Sequence, residues 1–312
     1  MTFEDLEQIR KTYINKKNEC IKKVINVALL LCLGLASIIF LTNLPKLDFT
    51  HTSMLIEFLL TFFVTALNIS VLTFIVGFFY VMAKTGDDHK TYINAYKYYF
   101  ITSTFKKVFT DISYRHDLAL PKEEIAKTAM MQMGDRYASN DYTVAKYKGI
   151  GFKQADVWIQ EEHTDSDGDT TYTTIFRGRY IIFDLNKDFT KKLLVVSKNF
   201  NAEKHDKTFK RIELESNEFN KKFDVFAQDG FEAYYLLDPA VMERIMKLDE
   251  LHDGRIMVCF SDNKMHIAIN NNTDSFEPAP ANKPIDEKKE FDKVINDIKV
   301  ITNIIDEVKL TK

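Results

Sequence analysis

Three patterns of apolar and polar positions follow one another along this chain. Two long, mainly apolar runs come first, Val24 to Leu44 and Met54 to Ala83, separated by a polar connector from Pro45 to Ser53. From Tyr142 the period falls toward two, and after Asp286 it returns to that of a helix. At about 1.5 Å of rise per residue the first run makes a helix roughly 31 Å long, enough for a hydrocarbon core of about 30 Å. The second is longer and spans with tilt. Together they predict a two-helix transmembrane hairpin over residues 24–83, entered by a cytosolic N-terminal helix over 1–23 whose Phe3, Leu6, Ile9, Tyr13 and Ile14 form a loose apolar stripe.

Past the hairpin, Thr85 to Asp88 reads as a helix break and restart. The aromatic-rich segment that follows, with a short helix at Pro121 to Met133 opened by proline in its tolerated first turn, predicts a helical stalk or juxtamembrane segment over 84–135. Runs rich in β-branched and aromatic residues then stand at Tyr142–Tyr147, Phe152–Gln160, Tyr172–Asp184, Leu193–Ser197, Arg211–Leu214 and Lys222–Phe226. Phe231–Leu237 and Pro239–Leu248 read as helices, the second capped by Asp238. Arg255–Phe260 and Met265–Ile269 make a hairpin across Ser261–Lys264. Residues 136–270 are therefore an α+β cytosolic domain with a mainly antiparallel sheet and flanking helices. The stretch 271–285 holds three of the six prolines and reads as a linker.

Residues 286–312 are a long amphipathic helix. Phe291, Val294, Ile295, Ile298, Ile301, Ile305 and Val308 share one face, with Lys289, Asp292, Lys293, Asp297, Lys299 and Glu307 opposite. A stripe of this kind must be covered. The cover is either the domain's own sheet or the same helix of another chain in a short coiled coil, so Ile298, Ile301 and Ile305 are packing residues of a core or of a homo-oligomer.

Charge then orients the hairpin. Arg10, Lys11, Lys16, Lys17, Lys22 and Lys23 precede the first run, and Lys84, Lys90, Lys97, Lys106 and Lys107 follow the second, whereas the connector sets Lys46 against Asp48. The positive-inside rule places both termini in the cytoplasm and the chain in an inner membrane. A cleaved signal peptide needs an apolar region of about 7–15 residues and a small-residue cleavage site, and neither is present. The formal net charge of −3 leaves no basic footprint for nucleic acid. Cys20, Cys32 and Cys259 are too few and too scattered for a disulfide framework or a zinc site.

Candidate chemistry is thin. No phosphate loop, dinucleotide turn, metalloprotease pair or nucleophile elbow occurs, no cofactor is expected, and an enzymatic site assembled only in space stays open. The acidic tip Glu161, Glu162, His163, Asp165, Asp167 and Asp169 is the one dense cluster of metal-capable side chains. Numbered from Asp165 as a calcium loop it lacks the required glycine and glutamate, since Thr170 and Phe176 stand there. A solvated hairpin loop turning at Asp167-Gly168 is the leading reading, with weak divalent-ion binding by His163, Asp165, Asp167 and Asp169 the competing one. In the second run Glu57, Thr61, Thr65 and Asn68 share a helical face. They line a pathway or hydrogen-bond the first span where Gly34 and Ser37 allow close approach.

Four strings together resemble the bacterial membrane-protein family named domain of unknown function 3137. They are TIFRGRYIIFDLNKDF from Thr174, LESNEFNKKFDVFAQDGFEAYYLLDPAVMERI from Leu214, RIMVCFSDNKMHIAI from Arg255 and SFEP from Ser275. The resemblance covers roughly Tyr142 to the C-terminus and implies membership and a membrane hairpin, with no activity attached. Where this chain has Tyr234, the family pattern more often has arginine. Apolar alternation in these strings reads first as packing, and Gly178 as a bulge or a close backbone approach. The function expected is a non-enzymatic binding or scaffold module, with the bilayer and another membrane or cytosolic protein as partners. The alternative is a transport or channel accessory acting through the polar face of the second span.

Overall fold

The computed structural model describes residues 1–43, 52–185, 191–198, 200, 208–251 and 255–308, so most of the connector expected at Pro45 to Ser53 lies outside the described residues. The chain divides into two compact units, Met1–Tyr99 with Pro278–Ile285, and Phe100–Glu277 with Asp286–Lys312.

The first unit is built on two long helices, α1 (Phe3–Asn43) and α2 (Thr52–Tyr96). They run antiparallel. Lys16 Nζ donates to Asp88 Oδ2 at 2.5 Å, Tyr13 stacks on Tyr92, and Phe3 lies against Tyr99. Where sequence suggested a helix break at Thr85 to Asp88, α2 runs straight through. One glycine costs a helix interior about 1 kcal/mol, and the buried Tyr92, Ala95 and Tyr96 just beyond repay it by packing. The close approach of α1 and α2 falls at Gly77, where an added Cβ would sit 2.3 Å from Val24 Cγ1, and not at Gly34, which has nothing within 4 Å among the described residues. Residues 279–285 are tied to the same two helices. Arg10 Nη1 donates to the Ala281 carbonyl at 2.7 Å, Tyr92 Oη to the Ala279 carbonyl at 2.8 Å, and the Ile285 amide to Glu7 Oε1 at 3.1 Å. Glu7 also accepts twice from Arg10, at 2.8 Å each. That fork holds the Glu7 carboxyl below the ordinary carboxylate range and covers a guanidinium that is itself buried.

A π-helical turn at Lys97–Thr102 leads into α3 (Ser103–Val108), where the second unit takes shape. Its sheet has nine strands among the described residues, in the order β1-β2-β3-β4-β9-β8-β5-β7-β6. They are β1 (Thr110–Arg115), β2 (Arg136–Tyr147), β3 (Ile150–Thr164), β4 (Thr170–Asp184), β5 (Leu193–Ser197), β6 (Lys210–Ile212), β7 (Phe223–Ala227), β8 (Arg255–Ser261) and β9 (Lys264–Asn270). Every pairing is antiparallel, so the fold is α+β with an antiparallel sheet. Strand β1 stands inside the segment read from sequence as wholly helical. Only Ile112 and Tyr114 are half-buried, between exposed polar residues, so the alternation is too short to mark a strand, and β1 exists because it pairs with β2. The helix expected over Pro121 to Met133 is only α4 (Lys122–Ala126), after which the chain turns through Ala129 at positive φ.

Both faces of the sheet are covered. One carries the core of Leu120, Ile125, Met130, Val157, Phe176 and Tyr180 with Met257 and Ala268. After α5 (Asn217–Lys222), α6 (Gly230–Leu236) and α7 (Pro239–Leu251) comes α8 (Glu287–Val308), which lies on the other face; its Val294, Ile298, Ile301, Ile304 and Ile305 are buried within this same chain, while Ile295 is exposed. Polar ties help to fix α8. Arg179 of β4 donates to the Asp297 carbonyl at 2.5 Å, and Lys148, in the β2–β3 turn, donates to Asp306 at 2.6 Å. Residues 271–285 hold no regular element, yet Phe276 and Ile285 are buried.

One titratable group is locked into the first core. His266 Nδ1 lies 3.1 Å from Tyr180 Oη. Burial first, and then the charge of Lys264, push the ring from its ordinary 6.5 down to about 4. The unfolded chain therefore binds a proton between these values and the folded chain does not, so His266 subtracts stability as pH falls. At 1.36 kcal/mol per unit the loss reaches about 3 kcal/mol by pH 4. The stability difference between wild type and H266Q, followed by chemical denaturation from pH 7 to 4, should shrink or reverse over this window. A difference that stays flat would mean that the ring titrates normally.

Candidate functional site

The register of β2, β3 and β4 sets three carboxylates side by side. At Asn140–Thr143 the pairing of β2 with β3 slips by a bulge, and Asp141 sits in it with φ 56°. The bulge turns the Asp141 side chain out of the strand's alternation, where it accepts from Tyr114 Oη and, at 3.0 Å, from Asn140 Nδ2. Burial and then the Asp141 charge drive the Tyr114 hydroxyl far above its usual range, which keeps it a donor. Asp156, in the middle of β3, is 5% exposed. Its Oδ2 accepts from the Ser275 amide at 3.0 Å, while no donor among the described residues reaches its Oδ1. Asp274 enters from the loop after β9 and accepts from the same Asn140 amide at 3.4 Å. One carboxylate oxygen from each of Asp141, Asp156 and Asp274 lies within 4.8 Å of the other two.

The surroundings are polar and charged. Asp156 pairs across the ladder with Arg179, which is buried over the ring of Phe276 at 4.8 Å and directs its fork at Asp297. Burial raises the Asp156 carboxyl well above the ordinary range. Arg179 opposes that rise, and Asp141 and Asp274 add to it. Gln154, two residues back on the same face, is buried with its Oε1 unpartnered among the described residues. A cleft of about 230 Å³ opens beside the cluster, lined by Asn140, Asp156, Trp158, Arg177, Thr273 and Asp274. Arg177 lies over the Trp158 ring at 4.8 Å. This is a desolvated anionic pocket with a polar mouth, suited to holding a proton or a hard cation.

The residues singled out from sequence lie elsewhere. Asp165, Asp167 and Asp169 are exposed in the β3–β4 hairpin turn, where Asp165 Oδ1 accepts from the amides of Asp167 at 3.0 Å and Asp169 at 2.9 Å. His163 lies 3.9 Å from Glu161, two residues back on the same strand, β3. On α2, Thr61 and Asn68 are exposed and Thr65 is half-buried, donating to the Thr61 carbonyl at 2.7 Å, while the side chain of Glu57 lies outside the described residues. Tyr234, at the family's arginine position, is exposed and donates to the Glu213 carbonyl at 3.1 Å. The sequence reading missed Asp141, Asp156 and Asp274. One signal was available: Gln154 and Asp156 interrupt an apolar strand at positions where alternation calls for buried residues.

Residues 174–310 match the family described as Protein of unknown function (DUF3137). The match begins within β4, so β1 to β3, which supply Asp141 and Asp156, stand outside it. No curated protein is significantly similar to the chain. Among solved structures, the crystal structure of the mycobacterial trehalose monomycolate transport factor A is similar over 68% of this chain and 93% of that one, at 7% identity and a TM-score of 0.37. A likeness of that degree assigns neither fold nor function.

Proposed function

We propose a function for a chain that belongs, through residues 174–310, to the DUF3137 family: it is a membrane-anchored binding module. In this reading α1 and α2 cross the bilayer as a hairpin with both termini in the cytoplasm, and the sheet unit engages a protein partner there without chemistry of its own. The observation that carries it is the surface of the two helices. Leu30 is 70% exposed and Phe74 is 73% exposed, and Leu29, Leu33, Ile38, Leu41, Leu59, Phe63, Leu72 and Phe79 are exposed with them. A continuous apolar surface of this size is not tolerated in water, and hydrocarbon is its natural solvent. Among the described residues one helical run, Leu59–Val108, is long and apolar enough to span. The flanking lysines support the orientation, and the positive ends frame α1 as a second span.

The test is topological. A single cysteine in the Pro45 to Ser53 connector, in a background free of Cys20, Cys32 and Cys259, should react with an impermeant maleimide on intact cells. Cysteines at Lys16 and Lys264 should react only after the cells are opened. Surface labelling at Lys264 would overturn the cytoplasmic placement of the sheet.

A further inference from the structure

We propose that Asp141, Asp156 and Asp274 form a divalent-cation site at the floor of the cleft, of the all-oxygen kind that calcium takes. This goes beyond the membrane reading and does not depend on it.

Oxygens bound to one calcium at about 2.3–2.6 Å can lie no more than about 5 Å apart. Three carboxylate oxygens drawn from residues up to 133 positions apart meet that limit here, all within 4.8 Å of one another. Magnesium, at about 2.0–2.1 Å in a strict octahedron, asks for a tighter set.

Asp156 is nine-tenths buried, one of its oxygens is engaged by the Ser275 amide, and the other has no donor among the described residues. A buried carboxylate oxygen left in this way costs free energy unless something positive meets it. Its carboxylate belongs to the trio, so the group lacking a partner is the one placed to bind.

Three carboxylates converge, with Arg179 paired to Asp156 across the ladder and Arg177 lining the same cleft. Arg179 spends its fork on the Asp297 carbonyl and carboxylate, and Arg177 is laid over Trp158. A doubly charged ion offsets what these two leave. The donors already in place suit this role. Tyr114 Oη and Asn140 Nδ2 hold Asp141, and the Ser275 amide holds one oxygen of Asp156; a carboxylate oxygen that accepts one hydrogen bond keeps a second lone pair for an ion. Asn140, which touches both Asp141 and Asp274, can turn its amide to present a carbonyl oxygen toward an ion. The cleft gives such an ion a route in and room for its remaining waters.

The experiment uses the full-length protein in detergent, stripped with chelator and titrated by calorimetry with calcium chloride, and in parallel with magnesium and manganese chloride. Calcium should bind with 1:1 stoichiometry and raise the melting temperature. D274N, at the half-buried rim, and D156N should each weaken binding at least tenfold while melting, without ion, no lower than wild type. A triple D165N/D167N/D169N variant should bind like wild type. Uptake unchanged by D274N and D156N, or abolished by the hairpin triple variant, would overturn the proposal by placing the ion elsewhere. No heat and no thermal shift with any of the three ions would overturn it too, and leave Asp156 as a buried, protonated acid.

Discussion

Replacing Ile298 and Ile305 together by aspartate should unfold the sheet unit or cost it tens of degrees in melting temperature. Ile298 is 3% exposed and Ile305 fully buried, on a helix whose apolar stripe has its cover within the chain. Each isoleucine contributes about 1.5–3 kcal/mol by its burial, and a carboxylate forced into the same place adds a desolvation cost of several kcal/mol. The total matches the whole stability of a typical domain, about 5–15 kcal/mol. Ile295 supplies the control: it lies on the same helix but is 40% exposed, so I295D should change stability by no more than about 0.5 kcal/mol. Thermal unfolding of the purified full-length protein, with sedimentation to read its oligomeric state, separates the outcomes. A double variant that remains folded but loses a dimer would show that α8 serves an interface between chains.

The second large effect is expected at Gly178. It sits in β4 with φ 156°, and a Cβ there would lie 2.0 Å from the Ile269 carbonyl oxygen and 2.9 Å from Asn271 Oδ1. The first of these is backbone in a paired strand, Gly178 facing Asn270 across the ladder, and it cannot swing aside. G178A should therefore combine backbone strain of about 1–3 kcal/mol with overpacking of about 1–3 kcal/mol. It should also loosen β9 from β4, which hydrogen exchange would show as lost protection at Ile267 and Ile269. Gly149, at φ 82° with nothing within 4 Å, is the comparison. G149A meets the conformational cost alone and should leave the β4–β9 ladder protected. Equal damage from both would mean that the close approach at Gly178 is not what matters.

Both sites show what sequence can and cannot carry. The strands β5, β8 and β9 were legible almost to the residue, because buried strands of five to seven residues in Leu193–Ser197, Arg255–Ser261 and Lys264–Asn270 leave a dense apolar record bounded by polar turns. The amphipathic face of α8 was legible for the same reason. Gly178 stood out as a glycine inside a strand pattern, although only the register shows that it faces a carbonyl. Strand β1 was invisible because most of its residues are exposed and its partner lies some thirty positions away. The acidic trio was invisible for a stronger reason. Asp141 needs a bulge, Asp156 needs the β3–β4 ladder to face Arg179, and Asp274 needs a loop after β9 to return. None of these is a local property of the chain, whereas the exposed Asp165, Asp167 and Asp169 crowd together in sequence and attract notice without being gathered by the fold.

The ties between residues 279–285 and the first two helices carry a consequence in time. Arg10 and the carbonyl it donates to are 271 residues apart, and Tyr92 and its acceptor are 187 apart. At about 5–20 residues per second of synthesis, the helices wait roughly a quarter of a minute to a minute for the segment that completes their base. Glu7 and Arg10, three positions apart, form their pair at once and can hold the guanidinium meanwhile. The helices made first are thus finished by residues made after the whole sheet, so assembly of this protein returns to its opening step near its end.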